Sequence, residues 1–152
     1  MAFEDIHGEW HWARGLTVDL LNACSDLDLE FQLTENSGEL WKQFRHIGRV
    51  HENYLTSIEA GNAAFDTASG SYSAGNSKAD LLSYFETLQA QHQTTMASVS
   101  TDTTIDWFGE SVSLELHITR LLAHETLHHG QLILCWRALG NAFPKSWGDW
   151  GQ

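Results

Sequence analysis

The chain has 152 residues, of which 42% are hydrophobic and 11% aromatic, and this composition predicts one packed globular domain over residues 1–152 rather than a disordered segment. Its 8 basic and 20 acidic residues give a formal charge of -12, which disfavours nucleic acid and anionic membranes as partners because both repel an acidic surface. Two cysteines are too few for a disulfide scaffold, and the sequence has neither a signal-peptide pattern nor an apolar run of membrane-spanning length, so we expect a cytoplasmic protein.

The first half of the chain contains two stretches with helical periodicity. The first runs from about Trp10 to Cys24, and the second runs from about Gly38 to Ala60. The dipeptide Gly61-Asn62 directly after the second stretch is a usual helix terminator. The segment Asn62–Asn76 is small, polar and glycine-containing, so we expect a long loop there.

A third helix follows this loop. It begins with the segment Ser77-Lys-Ala-Asp80, in which the serine hydroxyl can cap backbone N–H groups of the first turn. Residues from about Ser100 to Glu110 then form a connection, which we expect to be extended around Ile105–Phe108.

The fourth helix is the most strongly patterned. It begins near Ser111 or Ser113 and ends at Gly140, which suits a left-handed C-terminal cap. The tail contains Pro144 and two tryptophans and should fold back onto the helices. Together the four helices predict an all-α four-helix bundle with a long loop between helices 2 and 3.

Several of the nine histidines lie on one face of the fourth helix. Positions three or four residues apart share a side of a helix, and the apolar members turn that side toward the core. The positions that share this face are Leu114, His117, Leu121, His124, His128, Leu132, Cys135 and Leu139. Because His124 and His128 are one turn apart, both imidazoles can reach one metal ion at roughly 2.0–2.1 Å. Imidazole suits zinc, nickel, copper and iron, and the alternative is a pair of core histidines without a metal.

The segment His124-Glu125-Thr-Leu-His128 also matches the HExxH pattern of zinc proteases. The downstream positions do not continue that pattern. Gly130 comes one position early, Leu134 stands where a third histidine is needed, and no glutamate follows Glu125. A zinc protease is therefore the weaker alternative, and we expect the third ligand upstream of the pair.

The second predicted helix offers two candidates for this third ligand, His46 and His51. Helical periodicity places His51 in the middle of the apolar stripe and His46 on its flank. Periodicity alone does not choose between them.

The segment LLAHETLHHGQLILCWRALG resembles the last core helix of the DinB/YfiT-like family, in which two histidines four apart are followed, after one residue, by Gly-Gln. The segment RHIGRVHENYL is similar to the family's second helix, in which His-Ile or His-Leu precedes an aromatic-Leu pair. The resemblance covers most of the chain and makes His46 the first ligand. It implies an up-down-down-up four-helix bundle in which His46, His124 and His128 hold one divalent metal ion, zinc or nickel.

The resemblance also implies an activity. It relates the chain to metal-dependent S-transferases of small thiols and to hydrolases of thiol adducts, with a low-molecular-weight thiol as the substrate and a homodimer as the assembly. Glu125 and His129 are candidate catalytic residues for proton transfer, as are His51 and His117, although the plainer interpretation puts Glu125 and His129 on the helix surface. The non-catalytic alternative is a structural bundle in which the metal only joins two helices.

Overall fold

The computed structural model describes residues 3–63, 65 and 70–152. The elements in chain order are α1 (Phe3–Ala23), α2 (Asp26–Leu29), α3 (Leu40–Ala60), α4 (Lys78–Ser98), β1 (Thr104–Trp107), β2 (Glu110–Ser113), α5 (Leu114–Leu139) and a 3₁₀ turn over Lys145–Trp150. Four of the helices are long, which confirms the predicted all-α fold. Within the described residues, none of the helices has the length and apolar character needed to cross a lipid bilayer.

The four long helices form an up-down-down-up bundle. Helices α1 and α3 lie on one diagonal, and each packs against both α4 and α5. Helix α1 runs parallel to α5, as the contacts Arg14–Glu125 and Thr17–His129 show, and α3 runs parallel to α4, as Gly48–Tyr84 and His51–His92 show. Helices α1 and α4 are antiparallel, as the contacts His7–His92 and Asn22–Lys78 show. Helices α3 and α5 are also antiparallel, as His46–His124 and Tyr54–His117 show.

Capping residues confirm the predicted ends of three helices. The hydroxyls of Ser77 and Ser113 accept hydrogen bonds from backbone N–H groups in the first turns of α4 and α5. Gly61 and Gly140 end α3 and α5 with φ of 72° and 76°, in the left-handed region where a Cβ would be strained. These ends were predictable because each depends on one residue and its immediate neighbours.

The predicted start of the first helix was wrong, and one short helix was not predicted. Helix α1 begins at Phe3 rather than near Trp10, because Ile6 and Trp10 are both buried and extend its core-facing side toward the N-terminus. The acidic stretch after α1, for which the sequence analysis predicted no helix, contains the single turn α2. A capping box at its start and the buried side chain of Leu29 hold this turn in place.

The described part of the predicted loop, residues 62–63, 65 and 70–76, contains no helix, and residues 64 and 66–69 lie outside the described residues. The extended segment around Ile105 is confirmed as β1, but its pairing with β2 as an antiparallel hairpin was not predicted. Phe108 and Gly109 form the two-residue turn with φ of 53° and 95°, as a type I′ turn requires. The C-terminal tail folds back as predicted, since Trp147 is fully buried and donates from Nε1 to the carbonyl of Leu16 at 2.9 Å.

The core consists of two hydrophobic clusters at opposite ends of the bundle. One cluster centres on Phe44, Leu81 and Trp136, and the other centres on Trp10, Ile58 and Ile118. Between them, each long helix contributes buried polar side chains to a middle layer. The residues of this polar layer are Arg14, Thr17, His51, His92, Glu125, His128 and His129. The fold therefore places most of its buried charged and histidine side chains in the middle of the bundle.

Gly48 of α3 provides a test of the packing between α3 and α4, because a Cβ at this position would meet the ring of Tyr84. We expect Gly48→Ala to lower the free energy of unfolding by about 1–3 kcal/mol, since the ring must move and its hydroxyl hydrogen bond to Glu52 must move with it. Gly15→Ala is the matched control. Gly15 lies in the interior of α1 with open space at the Cβ position, so alanine should stabilise the protein by up to about 1 kcal/mol. Urea unfolding measures both variants, and equal effects would contradict the close packing.

Candidate metal centre

Three histidines converge between α3 and α5. His124 and His128 lie one turn apart on α5, and His46 reaches them from α3. The Nε2 atom of His124 is 3.3 Å from that of His46 and 3.1 Å from that of His128. Zinc–nitrogen bonds of about 2.0–2.1 Å at tetrahedral angles place neighbouring ligand atoms about 3.3–3.4 Å apart. The three imidazoles therefore already stand close to the spacing that one ion requires.

The protonation of these histidines also fits a metal ligand. Burial lowers the pKa of His46 and His128, and burial together with the neighbouring His128 and His46 lowers the pKa of His124 to about 4. All three rings are thus neutral at neutral pH, as a ligand must be. The Nε2 atom of His124 carries one in-plane lone pair or one N–H. It can therefore make a good hydrogen bond to only one of its two neighbours, His46 and His128. A cation accepts all three lone pairs at once, so the donor set fits a divalent ion that prefers imidazole.

The triad lies near the surface of the bundle. His128 is buried, whereas His46 and His124 are only partly buried. Three protein ligands leave one position of a tetrahedral ion for water or a substrate, which is the usual arrangement in catalytic zinc sites.

Glu125 is fully buried, so the interpretation of this residue as part of the helix surface is wrong. Its carboxylate receives two hydrogen bonds from Arg14 of α1, from Nε at 2.9 Å and from Nη2 at 2.8 Å, and a third from the Thr17 hydroxyl. Burial raises the pKa of Glu125, but the Arg14 guanidinium and these hydrogen bonds outweigh burial and hold the pKa below its usual value. The carboxylate is therefore ionised and engaged with α1.

His129 is also buried, which excludes the surface interpretation for this residue too. The indole N–H of Trp150 donates to its Nδ1 at 3.2 Å, so neutral His129 carries its proton on Nε2 and donates to the Thr17 hydroxyl at 2.9 Å. The hydroxyl in turn donates to Glu125. A directed chain of hydrogen bonds thus runs from the C-terminal turn to the Arg14–Glu125 pair.

The structure brings His46, and not His51, to the His124–His128 pair. His51 is fully buried among Arg14, which donates from Nη1 to its Nδ1 at 3.1 Å, and His92, whose Nδ1 is 2.9 Å from its Nε2.

His117 is likewise outside the triad. It accepts from the Trp107 indole at 2.9 Å, and its Nε2 bonds the carbonyl of Tyr54 at 2.9 Å. His117 is therefore a core histidine with its hydrogen bonds satisfied.

Two groups of residues were missed by the sequence analysis. One is the pair Arg14 and Thr17, for which the sequence carries no local signal. The other is a second group of three histidines, His7, His11 and His92, between α1 and α4. The four-residue spacing of His7 and His11 could have revealed it, had α1 been extended to Phe3.

The pairing of Glu125 with Arg14 gives a testable expectation. Glu125→Gln leaves the guanidinium buried without a counter-charge, so we expect the free energy of unfolding to fall by about 3–5 kcal/mol. As a control, Glu86→Gln removes an exposed carboxylate from α4 and should change the free energy of unfolding by no more than about 0.5 kcal/mol. The double substitution of Arg14 and Glu125 by methionine should recover much of the loss. Chemical denaturation distinguishes these cases, and wild-type stability in Glu125→Gln would show that the pair is dispensable.

Solved structures with the same fold include proteins from two bacilli. A DinB-like protein from Bacillus subtilis superposes with a TM-score of 0.75 at 19% sequence identity, covering 93% of this chain and 97% of the other. A DinB-like protein from Bacillus cereus gives a TM-score of 0.78 at 18% identity, covering 93% of this chain and 95% of the other. At such identities the likeness shows the fold alone. No curated protein matches the sequence.

The sequence itself carries the family assignment. The model of the DinB family matches residues 4–148, which include all four long helices apart from the first residue of α1 and all three histidines of the triad. The chain belongs to the DinB family.

Proposed function

We propose that the protein is a metal-dependent enzyme in which His46, His124 and His128 hold one divalent ion, zinc or nickel. The observation that carries the proposal is the convergence of the three Nε2 atoms at 3.1 and 3.3 Å in a partly exposed position. The resemblance seen in the sequence supports a small-molecule substrate, either a low-molecular-weight thiol in an S-transfer reaction or a thiol adduct that is hydrolysed. The homodimer and the cytoplasmic location rest on the sequence analysis alone and belong to the same proposal.

A bound divalent ion would supply a nucleophile at neutral pH, since it lowers the pKa of water to about 7 and holds a thiol as thiolate. The residues of the chain bind and orient this ion. The neutral rings of the triad present their lone pairs, and their partial exposure gives a small substrate access from solvent.

For Glu125 and His129 we propose a positioning role rather than direct contact with the substrate. Glu125 lies between His124 and His128 in sequence but is held by Arg14 and Thr17 of α1. This contact fixes the rotation of α5, and with it the direction of both ligand side chains on the neighbouring face. Proton transfer by Glu125 would require loss of its bidentate ion pair, which is costly in a buried layer.

The position of the triad favours catalysis over a purely structural role. Structural zinc sites usually close the coordination sphere with four protein ligands, whereas the described part of the chain offers three at this site. The two hydrophobic clusters on either side of the polar layer bury enough apolar surface to hold the bundle without a metal.

Substitution of a ligand should remove metal binding at this site. In a titration of EDTA-stripped protein with Zn²⁺, we expect His46→Ala and His128→Ala each to abolish one binding step, because two imidazoles cannot fix the geometry that three provide. Asp149→Ala tests the zinc-protease alternative, which needs a downstream ligand, and should leave every step in place. Loss of the step in Asp149→Ala, with retention in His46→Ala, would contradict the proposal.

Removal of the metal should leave the fold intact. We expect the chelated protein to keep its helical circular dichroism and to lose about 3–4 kcal/mol of stability relative to protein with zinc at 100–1,000 times its dissociation constant. An unfolded apoprotein would instead favour the structural alternative.

An open coordination position should respond to a small thiol. We expect 2-mercaptoethanol to change the visible absorption of the cobalt-substituted protein, and the metal-loaded protein to accelerate the reaction of the same thiol with a chromogenic aryl halide. His46→Ala should abolish both effects, whereas Asp149→Ala should retain them. A cobalt spectrum that no small ligand changes would show a closed, structural site.

A further inference from the structure

A second group of histidines repeats the arrangement of the triad on the opposite side of the bundle. His7 and His11 lie one turn apart on α1, as His124 and His128 do on α5, and His92 approaches from the neighbouring helix α4. In both groups the candidate ligand atoms lie within 4.8 Å of one another. Paired histidines four residues apart on a helix are a common means of holding a metal ion.

The ring separations of the two groups agree closely. In the second group the centroids are 4.4 Å apart for the pair on one helix and 4.9 and 5.5 Å apart for the contacts with His92. In the triad the corresponding separations are 4.5 Å for the pair on α5 and 4.9 and 5.2 Å for the contacts with His46. The two groups therefore offer three imidazoles at nearly the same separations, but the rings of His7 and His92 are inclined by only 7°, whereas the ring of His46 is inclined by 56° and 66° to those of His124 and His128.

We propose that His7, His11 and His92 form a second binding site for a divalent cation of the class that prefers imidazole, such as Zn²⁺, Ni²⁺ or Cu²⁺. Within the described residues the donor set consists of three imidazoles and no carboxylate, which selects these ions over Mg²⁺ and Ca²⁺. The site is separate from the triad and does not depend on the activity proposed for it.

The surroundings hold the ligands of this second site in place. The ring of His92 is fully buried and stacks on Trp10, with centroids 4.0 Å apart and planes inclined by 15°. The Nδ1 atom of His11 lies 3.0 Å from Nε2 of Gln89, and a flip of this amide turns its oxygen toward the ring, where it accepts from Nδ1–H. Outer partners of this kind orient metal-binding histidines and leave the other ring nitrogen for the ion.

His11 also borders a cavity of about 500 Å³ between α1 and α4. The cavity reaches Phe85 and Gln89 on α4, so solvent approaches the second group from the side of His11. The two candidate sites thus open on opposite edges of the bundle.

The second site should bind more weakly than the triad. Arg14 donates to Nδ1 of His51, so neutral His51 carries its proton on Nε2 and donates to Nδ1 of His92. In that arrangement the proton of neutral His92 is on Nε2, which lies 2.8 Å from Nε2 of His7. An ion that uses this Nε2 must therefore reverse the His51–His92 hydrogen bond and weaken the contact with Arg14. Since a lost outer-shell partner costs about 10–100-fold in metal affinity, we expect a difference of this size between the sites.

The test is a calorimetric titration of the EDTA-stripped full chain with Zn²⁺, with the bound metal counted by mass spectrometry. We expect two equivalents for the wild type, the second bound about 10–100-fold more weakly. The double variant His7→Gln/His11→Gln should lose the weaker step and retain the tighter one. These two side chains are only partly buried, so their replacement leaves the core intact, and circular dichroism verifies the fold.

Control variants separate this site from the triad. Glu9→Gln changes an exposed residue between the two histidines of α1 and should retain both steps. His46→Ala/His128→Ala should retain only the weaker step. One equivalent in the wild type, or two in His7→Gln/His11→Gln, would overturn the second site. If His46→Ala/His128→Ala instead keeps both binding steps, the triad is not a metal site, and the proposal of the second site is unaffected.

Discussion

The ion pair between Arg14 and Glu125 is the contact on which the middle of the bundle depends. Both side chains are buried between two hydrophobic clusters, where a charge without a partner is strongly unfavourable. Two hydrogen-bond chains end on the pair, one through His129 and Thr17 and the other through His51. The orientation of α1 against α5 is thus fixed by a contact that tolerates little rotation.

This polar layer also relates the two histidine groups to each other. The triad of His46, His124 and His128 lies at the α3/α5 edge, next to Glu125 in the sequence of α5. The second group lies at the α1/α4 edge and reaches Arg14 through the contact between His92 and His51. The apolar clusters stabilise the bundle, and the layer between them sets the directions in which ligand side chains point.

Sequence patterns predicted the features that depend on neighbouring residues. Capping residues gave the ends of α3, α4 and α5, and helical spacing gave the paired histidines of α5. Periodicity could not choose between His46 and His51, because it measures burial and the residue that joins the triad is only partly buried. The burial of Glu125 could not be predicted from sequence patterns either, since its partner Arg14 is 111 residues away in the chain. The second histidine group was missed because the start of α1 was placed beyond His7.

The parallel packing of α1 against α5 has a consequence for synthesis on the ribosome. These two helices form a major interface of the bundle, yet α5 is the last of the four to be translated. Until α5 has been made, the nascent chain exposes the apolar side of α1 and lacks Glu125, the counter-ion of Arg14. The bundle therefore closes late, after nearly all of the described chain has left the exit tunnel.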